Sequence, residues 1–306
     1  MTARISRRQA LSGLAAAAGG IALGAGGSSA QAIEAIARID KPKFKFSLAA
    51  YSYRELLTSK SGGTPELTLD DFIRDCAKMQ LDATELTSYY FPDPPSDEYL
   101  NHVKHLAFTL GLDISGTSTR NEFCLPPGPQ RDEQLAYTKQ WIDYAQKMAA
   151  PVIRIFSGKV QKKQEPAEGY KLAVDGIQEA CDYAGKRGVF LALENHGGLT
   201  SEVDGMLKLV RDVQSPWFGV NLDTGNFHSD TPYDDLARIA PYALNVQVKV
   251  MMKPTSGKAE PADLKRLATI MRDAGYRGYI VLEYEEKGDP REACPQWIDR
   301  IREGFA

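Results

Sequence analysis

The sequence predicts a single-domain α/β fold, a closed (β/α)8 TIM barrel, and three observations predict it. From Lys45 onward, short β-rich apolar runs alternate with longer helical patterns, and the strand candidates number eight. Several helical stretches close on a glycine before the next strand, as in Leu110-Gly111, Lys186-Arg187-Gly188 and Ala274-Gly275, which is the chemistry of a helix C-terminus. The segment after the first strand, Ala49-Ala50-Tyr51-Ser52-Tyr53, is not the glycine-rich phosphate loop that an open doubly wound sheet would place there.

In chain order the predicted strands are Phe46 to Ala50, Ala83 to Leu86, Asp113 to Gly116, Val152 to Phe156, Val189 to Glu194, Phe218 to Leu222, Asn245 to Val250 and Tyr279 to Glu283. Helical patterns between them include Leu69 to Met79, Asp132 to Met148, Tyr170 to Lys186, Val203 to Val213, Tyr233 to Ile239 and Pro261 to Asp273. The proline-rich runs Phe91 to Pro95 and Leu125 to Pro129 punctuate the pattern as loops rather than domain boundaries.

The 306 residues suit one barrel, an architecture of roughly 250 residues, behind a leader. Hydrophobic residues at 43% and charged residues at 25% are globular values, enough to build a large core. A net charge of -3 supplies no field that would gather polyanions, so nucleic acid is not expected as a partner and a small neutral or weakly charged substrate is. The four cysteines, Cys76, Cys124, Cys181 and Cys294, are widely spaced with no C-x-x-C pair, and the helical positions of Cys76 and Cys181 suit small buried hydrophobes. An oxidising compartment would leave a disulfide open.

The N-terminus differs from the rest. Paired arginines in Ser6-Arg7-Arg8-Gln9-Ala10-Leu11 precede a charge-free Ala/Gly-rich stretch from Leu14 to Gly27, and Ala30-Gln31-Ala32 offers a small-x-small cleavage pattern. The stretch is shorter than the ~20 apolar residues of a spanning helix. Residues 1–32 are therefore expected to be a twin-arginine export signal, 33–44 a linker and 45–306 the barrel, giving an exported, periplasmic protein with no stable membrane span after cleavage. A homo-oligomer is compatible with all of this.

In a barrel the chemistry sits at the carboxyl ends of the strands. The later strands end in Glu194-Asn195-His196, in Asp223-Thr224-Gly225-Asn226, in Gln247-Val248-Lys249 and in Glu283-Tyr284-Glu285. Strand side chains alternate, so Ala192 with Glu194, Asn221 with Asp223, Asn245 with Gln247 and Lys249, and Val281 with Glu283 share the interior face, while Leu193, Leu222, Val246, Val248 and Leu282 pack outward. Three carboxylates buried side by side need a neutralising cation, which points to a divalent metal.

These strand ends resemble the xylose-isomerase-like TIM barrels, the family of sugar phosphate isomerases and epimerases, over residues 45 to 300. The resemblance implies one metal ligand from each of the last four strands, at Glu194, Asp223, Gln247 and Glu283, with Gln247 standing where the family usually has histidine. An all-oxygen set favours Mn²⁺ or Mg²⁺, with Co²⁺ and Zn²⁺ as secondary candidates. It further implies isomerisation or epimerisation of a sugar, sugar phosphate or related keto compound through an ene-diolate, with Glu194 and Glu283 as base and acid.

Lys249, on the same interior face, is a candidate to stabilise a developing oxyanion. His196, Asn226 and His228 are candidate substrate contacts, as are Glu85 and Arg154 at earlier strand ends; the aromatic residues Tyr51, Tyr53, Tyr89, Tyr90, Phe91 and Phe123 suit either sugar faces or loop packing. The DNA-repair member of the family, endonuclease IV, is excluded because its zinc site draws on several histidines and this chain has four, of which His102 and His105 sit on a helix. Alternatives are a dehydratase or lyase acting on a keto-sugar or inositol derivative, and a non-catalytic periplasmic sugar-binding barrel.

Overall fold

A computed structural model describes residues 34–59 and 63–306. The expected signal falls outside the described residues. Among the described residues no helix is long and apolar enough to cross a membrane.

Eight strands form the barrel: β1 (Lys43–Ala49), β2 (Ala83–Thr87), β3 (Asp113–Ser118), β4 (Val152–Ile155), β5 (Phe190–Glu194), β6 (Phe218–Asp223), β7 (Ala243–Val248) and β8 (Arg277–Leu282). Neighbours in sequence are neighbours in space, and the parallel pairing of β1 with β8, from Lys43 opposite Arg277 to Leu48 opposite Leu282, closes the ring. The predicted third strand ends two residues early because Thr117-Ser118 reads as loop; in the barrel both are buried, Ser118 on the interior face beside Arg154 and Thr117 donating its hydroxyl to the Leu86 carbonyl, and both remain in the ladder.

Around the barrel run α1 (Leu69–Lys78), α2 (Asp97–Thr109), α3 (Pro129–Met148), α4 (Pro166–Gly185), α5 (Val203–Asp212), α6 (Pro232–Ile239), α7 (Leu264–Asp273) and α8 (Pro290–Phe305). Thr68 caps α1 in a reciprocal pair with Asp71, and Ser96 caps α2. Helices α3 and α4 begin before the predicted Asp132 and Tyr170 because Pro129, read as punctuation, and Pro166 occupy first-turn positions where a missing N–H costs nothing. Gly111, Gly188 and Gly275 end helices in the left-handed conformation expected of them, at φ of 76°, 68° and 64°.

Leu193, Leu222, Val246, Val248 and Leu282 are fully buried under the helices, each contributing roughly 1.5–3 kcal/mol by leaving water. All four cysteines are free and buried. The expected linker is partly docked: Ile36 N–H donates to the Pro241 carbonyl at 3.1 Å, and the Arg38 guanidinium donates to the Ala243 carbonyl while covering the Tyr276 ring at 5.2 Å.

Candidate active site

The barrel interior is polar, and its middle layer is a closed ring of four side chains. Asn245 Nδ2 donates to Glu85 Oε2 at 2.7 Å and to Asn221 Oδ1 at 2.9 Å; Asn221 Nδ2 donates to Gln247 Oε1 at 2.6 Å; Gln247 Nε2 donates to Glu85 Oε1 at 2.6 Å. In its ionised form Glu85 only accepts, which sets the amide orientation of Gln247, and all four residues are at most 2% exposed. Burial and the nearby Glu283 charge push the Glu85 carboxyl up to about 7, against the pull of the two amides. Glu85, expected at the rim as a substrate contact, thus lies in the floor instead: β2 is fully buried along its length and points this residue inward at the level of Gln247.

Above the floor the carboxylates meet two cations. Arg154 Nε lies 2.8 Å from Glu194 Oε2, and Asn226 Nδ2 donates to Glu194 Oε1 at 2.8 Å. The Arg154 guanidinium also donates to the Thr119 carbonyl at 2.8 Å and lies over Phe156 at 4.1 Å. On the other side, the Lys249 ammonium contacts Glu283 Oε2, lies 3.3 Å from Asp223 Oδ2 and reaches Glu285 Oε1 at 2.9 Å.

Backbone contacts hold these groups in place. The Asn195 side chain donates to the Asp223 carbonyl and accepts from the Asp223 N–H, both at 2.9 Å, locking the ends of β5 and β6 together. Thr224 Oγ1 accepts the Lys249 N–H at 2.9 Å. Gly225 passes so close to Lys249 that a Cβ there would lie 2.6 Å from Lys249 Cγ and 2.8 Å from its Cβ, so only glycine leaves room for the lysine stem.

The electrostatics separate the two catalytic candidates. Burial, with the Glu283 charge, pushes Glu194 up to about 7 even though Arg154 pulls the other way. Burial would raise Glu283 too, but the charge and hydrogen bond of Lys249, helped by Arg154, outweigh it and hold Glu283 below its ordinary value. Asp223, fully buried beside Glu194 and Glu283, is raised well above the usual carboxylate range despite Lys249. For Lys249, the attraction of Asp223, Glu283 and Glu285 exceeds the cost of burial and keeps it protonated.

These groups open into a cleft of about 230 Å³ at the carboxyl end of the strands, lined by Glu194, Glu283, Lys249, Arg154, Asn226 and His196 among the predicted residues. His196 packs against Phe156 at 4.6 Å, and burial followed by the Arg154 charge lowers its proton affinity. His228 lines an adjoining cleft with Lys253 and Glu286, which shares Asn226, Lys249, Glu283 and Glu285 with the first. Of the aromatic cluster, Tyr51 and Tyr89 line the main cleft, whereas Tyr53, Phe91 and Phe123 are core residues. Three cleft residues escaped the sequence argument: Arg120, Phe156 and Glu285. Had β3 been extended to Ser118, the alternation would have carried Arg120 onto the cleft side two positions later.

The sequence matches the family described as "Xylose isomerase-like TIM barrel" over residues 73–304. The chain belongs to that family. None of the curated proteins matches this xylose isomerase-like barrel significantly. Among solved structures it is similar to D-psicose 3-epimerase from Clostridium cellulolyticum H10, solved with D-tagatose, at 16% identity and a TM-score of 0.70, covering 85% of this chain and 99% of that one. It is similar to 3-keto-D-glucoside 4-epimerase from E. coli at 14% identity and a TM-score of 0.66, over 86% of this chain and 100% of that one. It also resembles the probable 3-DHS dehydratase of petrobactin synthesis from Bacillus anthracis, at 17% identity and a TM-score of 0.64, over 84% and 98%. At these identities the likeness establishes the shared fold.

The arrangement does not assemble the four-ligand metal shell that the resemblance implies. Gln247 Oε1, the only ligating atom of that side chain, is taken by Asn221, and turning the amide would leave Glu85 and Asn221 unpaired in the floor. Both Glu194 oxygens are engaged, by Arg154 and Asn226. Asp223 and Glu283 do converge, but on the Lys249 ammonium. Among the described residues no group of three or more His, Cys, Asp or Glu side chains is placed to hold a metal ion.

Proposed function

We propose that this barrel moves a proton at a carbon next to a carbonyl of a sugar or close sugar derivative, acting as an isomerase or epimerase. The observation that carries the reading is a single cleft lined by two carboxyl groups of opposite character, Glu283 held ionised and Glu194 held near neutrality. Environments that push two carboxyls apart in this way assign the base and the acid. Glu283 takes the proton from carbon; for isomerisation Glu194 protonates the former carbonyl oxygen, Glu283 returns its proton to the adjacent carbon and the neighbouring hydroxyl gives its proton back to Glu194, whereas for epimerisation Glu194 delivers its proton to the opposite face of the same carbon. Lys249 and Arg154 oppose the negative charge that develops between them.

Further support comes from the fold neighbours, whose names describe two sugar epimerases and a probable dehydratase on the same architecture. Elimination begins with the same proton abstraction, so a dehydratase or lyase is the outcome if water or another group leaves the intermediate. From its twin-arginine-like N-terminus we place the protein in the exported, periplasmic compartment.

The test is exchange of solvent deuterium into ketoses, keto-sugars and keto acids, with product analysis separating isomerisation from elimination. Glu283→Gln is expected to abolish exchange while circular dichroism stays unchanged. Exchange at the wild-type rate in that variant removes Glu283 from the role of base.

A further inference from the structure

We infer that Lys249 occupies the cation position of this centre, which is therefore built without a divalent metal. The inference deepens the proposed function, resting on the same cleft, and three sets of contacts carry it.

First, the ammonium sits among three carboxyl groups from the ends of β6 and β8: it donates a hydrogen bond to Glu283 and lies 3.3 Å from Asp223 Oδ2 and 2.9 Å from Glu285 Oε1. That is the spot where carboxylates of neighbouring strands would otherwise converge on an ion, and a second cation cannot share it with the ammonium. Second, the remaining expected ligands are consumed by partners of the chain itself. Gln247 belongs to the closed ring with Glu85, Asn221 and Asn245, and Glu194 is held from both oxygens by Arg154 and Asn226. Freeing either strands a buried charge or amide donor, at a cost of about 1–3 kcal/mol per group.

Third, the backbone around Lys249 is shaped for it. Gly225 has no side chain where a Cβ would strike the lysine stem at 2.6 Å, and Thr224 fixes the Lys249 amide. The lysine is therefore seated in the scaffold, and its 10% exposed side chain reaches inward rather than to the rim. Of its three partners Glu285 is the most accessible, at 40% exposed, against 0% for Asp223 and 8% for Glu283. Glu285 is thus the contact that a substrate oxygen displaces when it takes a hydrogen bond from the ammonium.

The experiment is direct binding of Mn²⁺, Mg²⁺, Co²⁺ and Zn²⁺ to the full chain by titration calorimetry, with Mn²⁺ also read by electron paramagnetic resonance. Wild-type protein is expected to take up no stoichiometric ion. Lys249→Met, which keeps the stem and removes the charge, is expected to bind one Mn²⁺ at least tenfold more tightly, and Asp223→Asn in that background to lose it. Lys249→Gln replaces the methionine variant should that one not fold. One equivalent of tightly bound metal in the wild type, lost on Asp223→Asn, overturns the inference. So does equal Mn²⁺ affinity with and without Lys249, because then the ammonium is not standing in a cation site. Binding is read without turnover, so failure of the deuterium-exchange test leaves this result independent.

Discussion

Glu85→Gln isolates the energetics of the barrel floor. The carboxyl is 1% exposed, and burial, followed by the Glu283 charge, moves it from 4.5 to about 7. The unfolded chain ionises Glu85 near 4.5, so the folded state holds its proton more tightly, and the associated stability is complete below that value and lost as the pH rises to about 7. At about 1.36 kcal/mol for each pH unit the loss is roughly 3 kcal/mol.

Glutamine, like the neutral acid, carries one donor where the ring offers two N–H groups, so both require the same reversal of the Gln247 and Asn221 amides and wild type and variant should be of similar stability at pH 5. At pH 8 the variant should be the more stable by roughly 3 kcal/mol, or about 6–12 °C in Tm for a domain of this size. Thermal and urea unfolding, followed by tryptophan fluorescence at pH 5, 6, 7 and 8, measures the difference. The wild type keeps a further slope from Glu194, which also sits near 7, and the variant should retain that part. A variant with an unchanged pH slope, or one less stable than wild type at pH 8, refutes the assignment of Glu85 to a buried, proton-holding position.

Two further substitutions probe the cleft. Gly225→Ala forces the Lys249 stem aside and should lower kcat for deuterium exchange at least tenfold, with a stability loss of only about 1–3 kcal/mol as the loop gives way; full activity in a folded variant would mean that the position of the stem is immaterial. Arg120 lies over Tyr89 at 4.7 Å, is solvent-exposed and makes no ion pair among the described residues, so Arg120→Ala should raise KM and leave kcat and Tm unchanged; an unaltered KM would show that substrate does not reach this wall.

The barrel was legible because its two periodicities are local. Alternation along β5 to β8 put Glu194, Asp223, Gln247, Lys249 and Glu283 on one face from spacing alone, and their apolar neighbours Leu193, Leu222, Val248 and Leu282 confirmed the other face. The third strand was cut short because Thr117 and Ser118 carry no apolar signal, and Arg120 was missed with it. Helix starts at Pro129 and Pro166 were misplaced because proline signals a break as readily as a first turn.

What the sequence by itself determined was that several carboxylates would be buried at one end of the barrel and would need positive charge, since an uncompensated buried carboxylate is too costly to persist. Only the tertiary structure decided which of the chain's own side chains meet those carboxylates. Gln247 is turned away by Glu85, 162 residues distant, and Glu194 is claimed by Arg154 from the neighbouring strand, while Lys249 reaches the carboxylates left over. Coulombic and hydrogen-bonding preferences act over a few ångströms, and those distances exist only once the ring of strands has closed.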